Sequence, residues 1–151
     1  MIDEATPDRA APARTFDEFF AERYRWAVRG AYLLTYSADA AEDIAQDAFA
    51  QMLRRWGDIR SPEAYLWRAV TNGAHSWGRR ARRSVTPEPP EHAPFDSDTL
   101  AVRDALAELP VAYREAIVLR YYGGFRDREI AEATGRPIGT VKSHIHRGSP
   151  R

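Results

Sequence analysis

The stretch REIAEATGRPIGTVKSHIHR, residues 128–147, decides the reading of this chain. A helix over 126–133 turns Ile130 and Ala131 inward, and a second over 137–147 turns Ile138, Val141 and Ile145 inward. Between them, Thr134-Gly135-Arg136 forms the turn, and Gly135 supplies the residue that tolerates positive φ. This is helix-turn-helix spacing, in which the second helix lies in the major groove of DNA. The side chains left outward on it are Thr140, Lys142, Ser143, His144, His146 and Arg147. They are donors suited to phosphates and base edges, and none is acidic. An ordinary helical hairpin with a basic surface has the same spacing, so both readings stand on this stretch alone.

Working outward, the segment just before it is also helical. Thr99 is placed to cap a helix through Leu109, and Pro110 starts another carrying Ala116, Ile117, Leu119 and Tyr121, closed by Gly123-Gly124. Further back lies SVTPEPPEHAPFDSD (84–98), with prolines at 87, 89, 90 and 94 and acids at 88, 91, 96 and 98. Proline fixes φ and removes a donor, so this reads as an extended acidic linker.

Before the linker the pattern is helical again. Phe16, Phe19, Phe20, Leu33 and Leu34 suggest an aromatic-rich first helix, interrupted near Gly30. In the next helix Ala41, Ile44, Ala45, Ala48, Phe49, Met52, Leu53 and Trp56 recur at three- and four-residue steps. Asp39 with Glu42 resembles a capping box, and Gly57 suits the end. A third helix starts at Ser61-Pro62-Glu63, buries Leu66, Ala69, Val70, Gly73 and Trp77, and runs into an arginine block. The expected fold class is all-α: two small helical domains joined by the Pro-rich acidic linker. The divisions are a tail over 1–15, a domain over 16–83, the linker over 84–98 and a domain over 99–151.

Composition narrows the function. Formal net charge is zero, but the charges are segregated. Arginines 68, 79, 80, 82 and 83 stand in a run without acids, and Arg136, Lys142, Arg147 and Arg151 in another. Phosphate binding depends on fields within about 10 Å, so two basic blocks outweigh a neutral total. Two solvated helix ends would show the same pattern. Tyr65, Trp67, His75 and Trp77 lie beside the first block, a mixture suited to stacking unpaired bases. Each aromatic taken alone fits the core better than a base-stacking role, Trp77 in particular because it sits on the core stripe. The outward row Glu42, Asp43, Gln46, Asp47 and Ala50 suits a basic partner or plain solvent.

Other classes drop out. With no cysteine there are no disulfides and no thiolate metal sites. His144 and His146 are two apart on a helix and cannot share a metal, so no metal and no cofactor is expected. No phosphate loop or nucleophile elbow occurs, so the chain does not read as an enzyme. No segment approaches the roughly 18 apolar residues of a membrane span, and the acidic N-terminus is unlike a signal peptide. A soluble cytoplasmic protein without membrane insertion is expected.

AEDIAQDAFAQMLRRW (41–56), SPEAYLWRAVTN (61–72) with its arginines, and LAELPVAYREAIVLRYYGGFRDREIAEATGRPIGTVKSHIHR (106–147) together resemble the extracytoplasmic-function sigma factors of the sigma-70 family. Within these the chain is similar to the SigE-like actinobacterial group. The resemblance covers about residues 16–147, in the family's motif order. It implies an RNA polymerase sigma factor that binds core polymerase and the −10 and −35 promoter elements. Region 2, over 16–83, would clamp the β′ coiled coil through Asp43, Gln46, Asp47 and Phe49. It would read and help melt the −10 element through Asn72, Trp77, Arg79, Arg80, Arg82 and Arg83, with Asn72 near a flipped-base pocket. Region 4 would bind the −35 element through Thr140, Lys142, Ser143, His146 and Arg147. An anti-sigma factor is a common further partner in the family.

Departures from the family pattern are Ser76, where many relatives have aspartate, and His144, where relatives usually have arginine. The sequence stops at HRGSPR (146–151), where relatives usually continue with basic amphipathic residues. The expectation is a less stable region 4 and weaker −35 binding. Two other readings go with these features: a stand-alone helix-turn-helix regulator, and a truncated sigma factor that binds polymerase but initiates poorly.

Overall fold

Helix α1 (Phe16–Thr35) begins where Thr15 takes an extended backbone and its hydroxyl accepts the Glu18 N–H at 3.1 Å. The Glu18 carboxylate reaches back to the Thr15 N–H, so two donors at the helix start are satisfied reciprocally. This computed structural model describes residues 14–81 and 95–149. Most of the expected tail and linker, with Arg82 and Arg83, lies outside the described residues. Arg14 and Thr15 belong to the fold rather than to the tail. Arg14 donates to Glu22 and Glu63, and its carbonyl accepts the Trp56 Nε1 at 3.2 Å. Burial alone would lift the Glu63 carboxyl, but the hydrogen bond and charge of Arg14 hold it below its ordinary range.

Gly30 does not interrupt α1, which runs through it. Its missing side chain makes room for Trp67 from another helix: a Cβ there would lie 2.0 Å from the indole Cη2. Helix α2 (Ala38–Arg55) is capped by Ser37, whose hydroxyl accepts the Ala40 N–H at 3.1 Å, rather than by Asp39. It ends in a 3-10 turn, Trp56–Asp58. Its buried side is the expected stripe from Ala41 to Met52, but Leu53 at the stripe's edge is 58% exposed. Helix α3 (Pro62–Ala81) buries Leu66, Trp67, Val70 and Ala74. Gly73 admits Ile44 of α2 to within 2.9 Å of where a Cβ would stand, so α2 and α3 approach closely. The three helices pack pairwise around Phe19, Tyr32, Met52 and Trp67.

The second group starts at Asp96, whose carboxylate accepts the Thr99 N–H at 2.8 Å and caps α4 (Ser97–Leu106). The cap lies three residues ahead of Thr99, which is itself buried. Helix α5 (Val111–Ile117) continues into a π-turn, Val118–Tyr122, closed by Gly123 N–H donating to the Val118 carbonyl. The wider turn rephases the helix. Tyr121, counted with Ala116, Ile117 and Leu119 on this helix, is 66% exposed, and Tyr122 turns inward instead. Helices α6 (Asp127–Thr134) and α7 (Ile138–Gly148) follow. Glu129 accepts the Arg126 N–H at 2.9 Å to start α6, and Gly135 ends it with φ 72°. Leu119, Ile130 and Val141 form the centre of this group. Ile138, expected inward, is 41% exposed at the first position of α7.

The groups touch along one seam. Tyr122 stacks on Trp26 at 6.0 Å, meets Trp67 edge-on at 5.6 Å and donates to the Trp26 carbonyl at 3.0 Å. Phe95 stacks on Tyr32 at 4.2 Å. Glu115, 4% exposed, pairs with His75 of α3 and accepts from Arg136 at 2.6 Å. Arg68 of α3 pairs with Glu132 of α6 at 3.1 Å.

Candidate nucleic-acid and polymerase interfaces

Positions three and four apart share a helix face, so Arg68, Asn72, His75 and Arg79 fall within about 60° of each other on α3. Arg68, Asn72 and Arg79 are exposed, as is Arg80, while His75 and Trp77 are half-buried. Asn72, Trp77 and Arg80 line one wall of a groove of about 570 Å³ between α2 and α3. The opposite wall carries Asp43 and Asp47. The structure thus brings members of both expected region 2 sites into one cleft, Asp43 and Asp47 on one wall and Asn72, Trp77 and Arg80 on the other.

The expected docking residues are not equivalent. Asp43, Gln46 and Asp47 are exposed. Phe49 is 2% exposed and is the hub of an aromatic cluster with Phe16, Phe19, Phe20 and Tyr24 at 5.1–6.2 Å. It supports that surface from beneath rather than presenting itself on it. Leu53 and Phe20, 58% and 39% exposed, supply the apolar surface near the acidic row. Sequence periodicity assigned Leu53 to the core because it sits at the edge of a wide apolar stripe.

On α7, at 100° per residue, Thr140, Lys142, Ser143, His146 and Arg147 occupy an arc of about 160°. All are exposed except Ser143, which is half-buried. Val141 and Ile145 face the other way, 1% exposed and half-buried respectively, so the arc is fixed by the packing behind it. His144 sits at the edge of the arc, against Tyr113 with ring centres 4.7 Å apart. Burial, then the charges of Arg136 and Arg147, push its imidazole below the ordinary histidine range. It therefore leaves the outward set. Arg120 lines a groove with Lys142, His146 and Arg147 and extends the basic surface beyond α7, although Asp127 engages it at 2.8 Å. Within the apolar run of its helix, Arg120 gave no sequence signal.

Among the described residues no group of three or more metal-ligating acids or histidines gathers. No described helix is long and apolar enough to cross a membrane.

Comparison with known proteins follows the same division. The family description "Sigma-70 region 2" matches residues 19–84, and "Sigma-70, region 4" matches residues 99–149. The chain is 32% identical to the RNA polymerase sigma-E factor of Streptomyces coelicolor over 146 residues, covering 90% of this chain and 82% of that protein. It is 33% identical over 160 residues to the ECF RNA polymerase sigma factor SigL of Mycobacterium tuberculosis, covering 94% and 86%. Among solved structures it resembles the sigma factor RpoE in complex with the anti-sigma factor NepR from Bartonella quintana. That match has a TM-score of 0.67, 26% identity, and coverage of 88% of this chain and 91% of that one.

Proposed function

The chain belongs to the sigma-70 family as a sigma factor of the extracytoplasmic-function type, and from that premise we propose how its two faces divide the promoter between them. Its function is promoter recognition and transcription initiation with RNA polymerase. In our reading, region 2 spans 16–83, the linker 84–98 and region 4 99–151. Asp43, Gln46 and Asp47 dock the β′ coiled coil, with Phe49 holding the helix face in place. Asn72, Trp77 and the arginines 79, 80, 82 and 83 capture the opened −10 element. Thr140, Lys142, Ser143, His146 and Arg147 read the −35 duplex.

The observation that carries this is the acid-free arc on α7, set by the buried Val141 behind it. A major-groove helix must offer donors on one side and a packed seam on the other. The −10 element needs unpaired bases to be held, and the groove beside Asn72 and Trp77 supplies polar and aromatic walls. The protein contributes binding that favours the open promoter, and the polymerase carries out the chemistry. We place it in the cytoplasm, and an anti-sigma factor as a further partner, as for the RpoE relative.

Run-off transcription with core polymerase from an actinobacterium, on a promoter library, tests the assignment. Transcripts that require the protein are expected, and their start sites give both elements. Core binding without transcripts would favour the poorly initiating form. Duplex binding with no core binding would favour the stand-alone regulator.

Lys142→Ala is expected to weaken binding to the −35 duplex about five- to tenfold. As a phosphate contact it should also lower the slope of log affinity against log salt by about one. An unchanged slope with altered sequence preference would move Lys142 from the backbone to a base edge.

A further inference from the structure

We propose that His144 is a further contact to the −35 duplex, and a proton-dependent one. Its imidazole lies uncharged against Tyr113 in the free protein and takes up a proton as it turns onto a DNA phosphate, so that binding tightens as pH falls. The inference rests on reading the arc of α7 as the −35 face.

The seat of His144 in the free protein suits the neutral ring. At 100° per residue it stands about 40° beyond Thr140, at the edge of the arc, and about 60° short of the buried Val141. Its ring lies against Tyr113 of α5, with centres 4.7 Å apart. Its Nδ1 is buried and has no hydrogen-bond partner among the described residues. A neutral imidazole with its proton on Nε2 leaves only a lone pair there. The charged form carries an N–H on both nitrogens, and the one on Nδ1 has nothing to receive it. A buried donor without an acceptor is costly.

The charges around the ring act in the same direction. Arg136, in the turn before α7, and Arg147, one turn further along α7, oppose another positive charge. Glu115 of α5 favours it, but that carboxylate is already engaged by His75 and Arg136. Tyr113, also of α5, faces the ring with an aromatic surface. DNA reverses these conditions. A phosphate held by Thr140 and Arg147, one turn before and one turn after, stands within reach of the ring once it leaves Tyr113. It supplies the missing acceptor and offsets both guanidinium groups. Protonation is then favoured in the complex and disfavoured in the free protein, so binding takes up a proton. Affinity rises as pH falls through the value of the bound ring, and the gain is complete below the lower value of the free ring. At neutral pH α7 offers DNA the fixed charges of Lys142 and Arg147, and in acid it offers one more.

The chain has four histidines, and their imidazole signals in NMR spectra of the full-length protein titrate separately, with His144→Gln identifying the signal of His144. They are followed from about pH 8 to about pH 5, free and with a pool of random-sequence duplexes of about 20 base pairs at low salt. A mixed pool suffices because the contact is to the backbone, which carries no sequence. For His144 a free value below the ordinary histidine range is expected, and a bound value above the free one. Wild-type affinity for the pool should rise about three- to tenfold more than that of His144→Gln between neutral pH and about pH 5.5. His144→Arg, charged throughout, should lose that part of the pH response and bind more tightly at neutral pH. Binding of the pool with the His144 titration unmoved overturns the proton-dependent contact and leaves the −35 reading of α7 intact, as does an equal pH response of wild type and His144→Gln. Failure of the pool to bind at low salt, or binding that Lys142→Ala leaves unchanged with His144 unmoved, overturns the reading of α7 and the contact with it.

Discussion

Gly30→Ala is expected to destabilise the protein by roughly 3 kcal/mol, although alanine is the better helix former by about 1 kcal/mol. The new Cβ would lie 2.0 Å from Trp67 Cη2 and 2.7 Å from Cζ3. One side must move, and Trp67 has nowhere to go. It is 1% exposed, with Trp26 at 4.7 Å, Tyr122 at 5.6 Å and the Gly123 position at 3.3 Å around it. Interiors packed to crystal-like density resolve such a clash by parting helices. For a chain of this size the loss corresponds to a fall of about 10 °C in Tm. Gly78→Ala is the control, because nothing lies within 4 Å of a Cβ there. It should raise stability by about 0.5–1 kcal/mol. Thermal unfolding of the two variants beside wild type decides the matter. Equal shifts of the same sign would mean that helix propensity, not the Trp67 contact, governs Gly30. The Gly30→Ala, Trp67→Leu double variant should cost less than the sum of its singles.

Gly30 also marks the boundary between what the sequence discloses and what it does not. A glycine in a helical pattern reads locally as a break, because propensity is a local quantity. Its reason here is a tryptophan 37 positions along the chain. Tyr121 is a case of the same kind: counting in steps of 3.6 cannot foresee a π-turn, and one wider turn exchanges Tyr121 for Tyr122. Legible features were those with short-range causes. The stripe from Ala41 to Met52, the start of α3 at Pro62 and the left-handed Gly135 follow from spacing and backbone chemistry alone. The caps fared less well, since Ser37 and Asp96 do the work expected of Asp39 and Thr99, all chemically suitable. For the candidate sites, sequence and family resemblance supplied the residues, but not their depth. His144 lies deeper than its outward assignment implies, and Phe49 stays on the buried stripe that periodicity gives it rather than on the docking surface that the resemblance implies, because aromatic partners on other helices cover both. The seam between the groups left no periodic signal, since residues such as Glu115 and His75 belong to it only once the chain has folded.

The same seam sets the second large effect. Glu115→Gln is expected to cost about 2 kcal/mol at neutral pH, with the difference from wild type closing in acid. Burial alone would raise the Glu115 carboxyl above its ordinary value of 4.5, but the hydrogen bonds and charges of His75 and Arg136 outweigh it and hold it lower. Its folded value lies below its unfolded one. The stabilisation from the ionised form is therefore complete above about 4.5 and is lost as pH falls through the lower folded value. Glutamine keeps the shape, but it replaces a two-sided acceptor by one carbonyl and one amide donor. Either Arg136 or His75 is then left facing a donor in a site only 6% exposed. His144, whose imidazole is pushed down by burial and by Arg136 and Arg147, charges at a cost as pH falls, and the variant loses only the smallest influence on it, the offsetting charge of Glu115. The wild-type-minus-variant difference removes most of that contribution and isolates the carboxylate. Denaturant unfolding of the pair between pH 7 and about 3.5 gives this difference directly. A gap that persists undiminished at the acid end would mean that Glu115 stabilises through its shape and not its charge. A gap that closes ties the seam between regions 2 and 4 to one buried charge, the carboxylate that His75 of α3 shares with Arg136.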